Sequence, residues 1–445
     1  MVLKLMNRLK RGIVLPCVLS TFALSLGGQV LQTLHLFTGS DGGKIYSPLI
    51  QNSDGNFCGT AVTGGTNNYG TVFKMTRHGD LTLLATFDFS NGANPYAGLV
   101  EGINGDIYGT TRTGGSNASG TAFRISTKGT LTTLVSFNNS RGIEPQGELT
   151  QGVDGNFYGT THGGYPSPNA GTLFKMTTNG TLTTLASFYA TNGAFPQSAL
   201  VFGDDESLYG TAGNGGPVDG GVAFKLSPDG NLTVLVSFVG TNGLNPVGLT
   251  RGHDGNLYGL TLGGGEAGDG TAFKMSPAGT LSTLVSFDGA NGEIPTGKLT
   301  QDSNEDFFGT TLHGGLGYGT VFRLTTNGIL TVLAKFDFTS GWFPRGGVVV
   351  GTDGNLYGTT ESGPNFWGTT FRVVMPVVLF LEQSGNQIVL SWPTNAIDYK
   401  LQASVDLQSP TSWIDSTITP SIVGGEFVVT NAITDGNAFY RLMGF

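Results

Sequence analysis

Cysteine occurs only twice in the 445 residues, as Cys17 and Cys58. A disulfide-stapled scaffold is therefore excluded, and stability must come from packing and from closure of the fold. Charge is also scarce, at 12% of the chain, with a formal net value of −9. No basic run follows the first dozen residues. The clustered Lys and Arg of a phosphate-binding surface are thus missing, which argues against nucleic acid as a partner. No stretch shows the 3.6-residue apolar period of a helix, and the many glycines and β-branched residues oppose one. Histidine is rare: His35, His78, His162, His253 and His313 never approach one another along the chain. Neither His-Glu-x-x-His nor a cysteine pair offers a metal site. No Gly-x-Ser-x-Gly elbow, phosphate loop or dinucleotide fingerprint falls in a fitting context. The sequence therefore gives no reason to expect a metal, nucleotide or other cofactor.

Glycine, by contrast, supplies 73 positions. They do not recur every third residue, which excludes collagen. Leu, Phe, Val and Tyr return at regular intervals, which disordered chains lack. The N-terminus reads as an export signal. Lys4, Arg8, Lys10 and Arg11 precede an apolar stretch from Gly12 to Leu26, and Ser25-Leu26-Gly27 offers a cleavage site. Residues 1–28 are assigned to this signal. Pro16 before Cys17 is wrong for a lipoprotein site, and no other stretch could cross a membrane.

An internal repeat organises the rest. The motif Asp-Gly-Asn-(Leu/Phe)-Tyr-Gly-Thr places its second glycine at Gly59, Gly109, Gly159, Gly210, Gly259, Gly309 and Gly358, at intervals of 50, 50, 51, 49, 50 and 49 residues. Each period holds four strand-like pieces, here a to d. Their examples are Pro95 to Val100, Phe157 to Thr160, Gly70 to Met75 and Leu131 to Phe137. Asp-Gly pairs between a and b, and glycines such as Gly129 between c and d, signal tight hairpins. Four antiparallel strands per period indicate propeller blades. A β-helix, with its shorter coils, is the structural alternative. The repeats begin with a d strand at Leu31 to Phe37 and end with a c strand at Gly368 to Val373. Pairing those two segments in one blade would close the ring and remove its exposed edge. The expected fold is all-β: a seven-bladed β-propeller over residues 29–375.

From Pro376 the repeat stops. Ile388-Val389-Leu390-Ser391-Trp392 and Tyr399-Lys400-Leu401-Gln402 read as strands. Residues 376–445 are expected to form a small β-sandwich resembling a fibronectin type III module. The chain lacks a terminal hydrophobic helix with a basic tail, so a C-terminal sorting signal is not expected.

The segments Asn156-Phe157-Tyr158-Gly159-Thr160, Gly171-Thr172-Leu173-Phe174-Lys175-Met176 and Leu182-Thr183-Thr184-Leu185 resemble the GloVer (Gloeobacter/Verrucomicrobia) tandem-repeat family over residues 31–375. The resemblance implies a bacterial, exported protein and adds little about activity.

Most repeated residues have structural explanations. Phe73, Phe123, Phe174, Phe224, Phe273, Phe322 and Phe371 share one blade position and read as core, each contributing roughly 1.5–3 kcal/mol on burial. The basic residue after each is expected to lay its stem on the blade and reach water or a neighbouring acid. The Asp-Gly-Asn turns supply too few oxygens for calcium. The Asn-x-Ser/Thr sites at Asn117, Asn138, Asn179 and Asn231 are expected by chance in Asn/Thr-rich repeats.

Function is expected where the repeats differ. The b–c and d–a loops share one face and carry the unusual residues. Arg112, His162, His313 and Glu361 begin b–c loops, Trp342 and Arg345 lie in the last d–a loop, and Trp367 ends the last b–c loop. The two tryptophans with nearby charge suit stacking on a sugar ring. Alternatively they cap the last blade. The reading is an exported, monomeric binding or scaffold propeller for a carbohydrate or surface ligand. The competing readings are a polysaccharide lyase or hydrolase using Arg112, His162, His313 or Glu361, and a cell-surface adhesion protein.

Overall fold

The computed structural model describes residues 3–4, 30–164, 170–377, 379–384, 387–397, 399–405, 413–423, 426–432 and 439–444. The apolar stretch and cleavage site of the export signal lie outside them. The chain divides into two compact units. The larger comprises Leu31–Val350 and Leu356–Val373; the other comprises Met1–Val30, Gly351–Asn355 and Val374–Phe445. All regular elements among the described residues are β-strands.

In the larger unit the repeats form seven four-stranded sheets. The first orders Ile50–Gln51, Phe57–Ala61, Thr71–Met75 and Leu81–Thr86, and the next five follow the same plan. The seventh takes Val348–Val350, Leu356–Thr360 and Thr369–Val374 from the end of the repeat region and Val30–Leu36 from its beginning. The Phe37 amide donates to the Gly368 carbonyl at 3.1 Å, and the Arg372 guanidinium donates to Gln32 Oε1 at 2.6 Å.

Strand a is shorter than its sequence suggests in most sheets, although it runs over Leu244–Arg251 and Glu293–Gln301 in the fifth and sixth. Of Pro95 to Val100, only Val100, followed by Glu101, is regular. In the first sheet strand b is buried from end to end, strand c exposes only the stem of its basic residue, and strand d is half-exposed; the other sheets keep this gradient closely.

The glycine of Tyr-Gly-Thr is required by close packing. A Cβ on Gly59 would lie 2.6 Å from Phe73 Cζ, and the other six repeats give 2.4–2.7 Å for the equivalent pair. The c-strand phenylalanine thus lies directly over the neighbouring b strand, and all seven are fully buried. Each also meets a phenylalanine from the end of the preceding sheet's d strand. Phe87–Phe123, Phe137–Phe174, Phe188–Phe224, Phe238–Phe273, Phe287–Phe322 and Phe336–Phe371 have ring centroids 4.9–5.4 Å apart. Phe37 of the seventh sheet meets Phe73 of the first at 5.1 Å. Buried threonines satisfy one another across strands b and c, as in Thr161–Thr172 at 2.8 Å.

The repeated Asp, Tyr and Lys form a clasp at the a–b turn. In the third sheet Asp154 Oδ2 accepts from Tyr158 Oη at 2.9 Å and from Lys175 Nζ at 2.7 Å, while the ammonium lies 5.6 Å from the tyrosine ring centroid. Asp205–Tyr209–Lys225 and Asp254–Tyr258–Lys274 repeat it. Six of the seven basic residues after the phenylalanines therefore reach acids in their own sheets, whereas Arg372 donates to Gln32. In the first repeat Cys58 replaces the tyrosine; it is a buried free thiol that burial pushes up to about 12.

In the second unit, one sheet orders Phe380–Ser384, Gln387–Pro393, Glu426–Ala432 and Ser421–Val423. The other orders Leu3–Lys4, Phe439–Gly444, Tyr399–Ser404 and Ile414–Asp415. Trp392, Leu390, Leu401, Val429 and Tyr440 form its core.

Candidate functional site

Successive strands run in opposite directions, so the d–a and b–c loops gather at one end of the larger unit's sheets. There the starts of the a strands enclose a vestibule of about 560 Å³, bordered by Tyr46, Tyr96, Gln146, Gln197, Asn245 and Arg345. This volume falls in the range of small-molecule sites.

One wall is a continuous stack. The Arg345 guanidinium carbon lies 5.2 Å from the Tyr46 ring centroid, Tyr46 lies 5.0 Å from Tyr96, and the Arg112 guanidinium carbon lies 5.2 Å from Tyr96. Both guanidiniums are held from behind. Arg345 Nε donates to Glu361 Oε2 at 2.5 Å, and Arg112 Nε donates to Glu144 Oε2 at 3.0 Å. Tyr46 Oη donates to Glu361 Oε1 at 3.4 Å. Burial, and next the Glu361 charge, push the Tyr46 hydroxyl up to about 12, so it stays a donor at neutral pH. Burial tends to lower the Arg112 pKa, but the Glu144 contact outweighs it and the net direction is upward.

His162 lies flat on Phe195, with centroids 4.4 Å apart and planes at 26°. Burial lowers its pKa, as does the Arg112 charge against the opposing pull of Glu144; neutral imidazole is favoured beside the wall. Of the expected residues Arg345 lines the vestibule, while Arg112, His162 and Glu361 stand behind it against the lining residues Tyr96, Phe195 and Arg345.

The other expected residues lie elsewhere. His313 meets Phe343 edge-on at 4.9 Å. Trp342 is only 8% exposed. Phe338 covers one indole face at 5.0 Å and 17°, and Phe366 approaches edge-on at 5.8 Å. The exposed aromatic surface at that loop belongs to Phe338 and Phe366. Trp367 is half-buried over the backbone of Gly39 and Gly43, where a Cβ would lie 2.9 and 2.3 Å from the indole. The two tryptophans therefore occupy loop-packing positions, apart from the charged group.

The floor of the vestibule escapes sequence reasoning. Glu148 and Lys298 border both the vestibule and a second cavity of about 600 Å³ toward the opposite ends of the a strands. Lys298 Nζ donates to Glu148 Oε1 at 2.9 Å, joining the third and sixth sheets. Tyr46, Tyr96 and Glu144 were also missed. Their signal lay in the segment leading into strand a, where Tyr46 and Tyr96 replace the Gln146 and Gln197 of later repeats. Among the described residues, no group of three or more His, Cys, Asp or Glu could hold a metal, and no helix is long and apolar enough to cross a membrane.

Comparison with known proteins follows the same division between fold and site. The Gloeobacter/Verrucomicrobia repeat matches residues 20–216 and 198–371. The chain belongs to this repeat family. No curated protein matches it. Among solved structures, the chain is similar to the extracellular domain assigned to a one component system of B. thetaiotaomicron. Identity is 12%, the TM-score is 0.54, and 91% of this chain and 54% of the other are covered. A puromycin hydrolase gives 12% identity and a TM-score of 0.51, with 80% and 59% covered. A periplasmic gluconolactonase of Pseudomonas aeruginosa gives 15% and 0.47, with 87% and 99% covered. The repeat-family chain spans little more than half the length of the first two. At these identities the first two likenesses concern the fold alone, which is all-β and propeller-like.

Proposed function

We propose that this chain is an exported, non-enzymatic binding or scaffold protein. In this reading it is a seven-bladed propeller closed by Val30–Leu36, and its vestibule recognises a carbohydrate. Closure is supported by the Phe37–Phe73 contact, which repeats between the seventh and first sheets the packing found at the other six junctions. A fibronectin type III-like sandwich, with Trp392 in its core, completes the chain.

The observation that carries the binding reading is the Arg345–Tyr46–Tyr96–Arg112 stack. Sugar rings present flat apolar faces with hydroxyls around the edge, and tyrosines offer a matching apolar face with a polar tip. Gln146, Gln197 and Asn245 supply amide donors and acceptors around it. A lyase or hydrolase would need an acid and a base converging on substrate. Glu144 and Glu361 instead each accept from an arginine, and His162 lies against Phe195. These contacts hold a surface rigid, which lowers the entropic cost of binding.

A glycan-array screen of the wild type, Tyr46→Ala and Tyr96→Ala, with thermal melts alongside, tests this reading. Glycan binding lost in both variants with melting preserved supports it. Absence of binding to any glycan, or binding that survives both substitutions, overturns it.

A further inference from the structure

Resting on the carbohydrate reading, we propose that the vestibule takes the free end of a neutral sugar chain and that the Glu148–Lys298 ion pair stops it there. Two independent observations carry this: the charge balance of the walls and the residues that close the channel.

Every cationic group named at the site already has its acid. Arg345 is paired with Glu361 at 2.5 Å, Arg112 with Glu144 at 3.0 Å, and Lys298 with Glu148 at 2.9 Å. A uronate or sulfated sugar would have to take one of these cations from its partner. For Lys298 or Arg345 that would leave behind a carboxylate whose side chain is only 14% or 15% exposed. Leaving such a group unpaired is costly. An aminated sugar would face the converse problem. A neutral polyhydroxyl ligand breaks no pair and can use the outer oxygens and amides as they stand.

The second observation concerns the position immediately before the leading leucine or valine of strand a. The seven sheets place Pro48, Gly98, Glu148, Ala199, Gly248, Lys298 and Gly347 there. Five of these are too short to cross a channel. The two long ones carry opposite charges, sit three sheets apart, and meet in the walls of both cavities. Glu148 also borders Gly98, where an added Cβ would lie 3.1 Å from its Oε2. A polymer threading from one cavity to the other must therefore part the pair, whereas a chain end entering from the loop side need not.

The experiment uses the full chain and titrates linear neutral oligosaccharides of increasing length. It includes cello-, malto-, laminari- and xylo-series, α-cyclodextrin as an end-less ring, and oligogalacturonides. Wild type, Glu148→Gln, Lys298→Met and the double variant are compared, with melting temperature as the folding control. The expected result has three parts. One neutral series binds, with affinity that stops rising after a few rings. The oligogalacturonides and the ring bind on the order of tenfold more weakly or worse. The folded double variant gains affinity for longer chains. Preference for oligogalacturonides, equal binding of the ring, or affinity that keeps rising with length in the wild type overturns the end-on neutral assignment while leaving the carbohydrate reading intact. No binding by any probe removes both.

Discussion

At one end of the seven sheets the turns are near copies of one another; at the other end almost every loop has its own residues. The Asp–Tyr–Lys clasp recurs in the third, fourth and fifth sheets with the same atoms in contact. The loop end carries Arg112 in one repeat, His162 in the next and Glu361 in the last at the same place in the motif. A residue that returns every 50 positions does work each sheet needs, such as closing a hairpin or covering a strand. A residue that appears once answers to something outside the repeat. The vestibule wall and its backing are made of such residues: Tyr46, Tyr96, Arg112 and Arg345 come from three repeats and form one stack only through the fold.

The sharpest way to break the comparison is to remove what makes the seven sheets equivalent. Deleting residues 30–37 takes the outer strand from the seventh sheet and Phe37 from between Phe73 and its neighbours. We expect a loss of at least about 5 kcal/mol or failure to fold, since an edge is exposed and a fully buried aromatic is lost. A urea midpoint unchanged from wild type would contradict the closed ring.

Next in size is the division between the packing aromatics and those proposed to bind. Trp342→Ala empties a site buried between Phe338 and Phe366 and should cost about 3–5 kcal/mol of stability while leaving glycan affinity unchanged. Tyr46→Ala should do the reverse. Affinity should fall by about 1–3 kcal/mol, with little change in the denaturation midpoint. Finding both effects in both variants would dissolve the distinction between loop packing and vestibule wall.

These expectations also show where sequence reasoning reached its limit. Repeat period, strand placement and the core phenylalanines were legible because each is a local pattern written seven times. The basic residue after six of the seven phenylalanines was legible too, since an acid stood in its turn; Arg372 instead meets Gln32 on the strand supplied by the start of the repeat region. The wall was only half legible. Arg112, His162, Arg345 and Glu361 stood out as odd loop residues, but Tyr46 and Tyr96 lie in the segment leading into strand a, where an aromatic looks like core. Trp342 and Trp367 misled for the opposite reason. Their rarity suggested ligand contact, yet a large indole in a Gly-rich loop is readily buried by neighbouring side chains and backbone. The Glu148–Lys298 pair was illegible because 150 residues separate its members and only the fold brings them together.

The smallest expected effect tests the uniform end of the sheets. Each clasp is an exposed ion pair, so Lys225→Met should cost only about 0.2–1 kcal/mol near neutral pH. Its pH dependence is diagnostic. Burial alone would raise the Asp205 carboxyl, but the Lys225 ammonium and the Ser207 amide outweigh it and hold the group down at about 2. A carboxyl whose pKa is depressed by folding contributes stability that is fully present above its unfolded value of about 3.9. That contribution fades as pH falls toward 2, where the folded state also takes up the proton. Asp154 and Asp254 are shifted in the same direction, with burial opposing and Lys175 or Lys274 prevailing. The difference in urea midpoint between wild type and Lys225→Met should therefore be present at pH 5 and shrink at pH 2.5. A difference of equal size at both pH values would mean that the lysine acts through its stem packed on Tyr209 rather than through its charge.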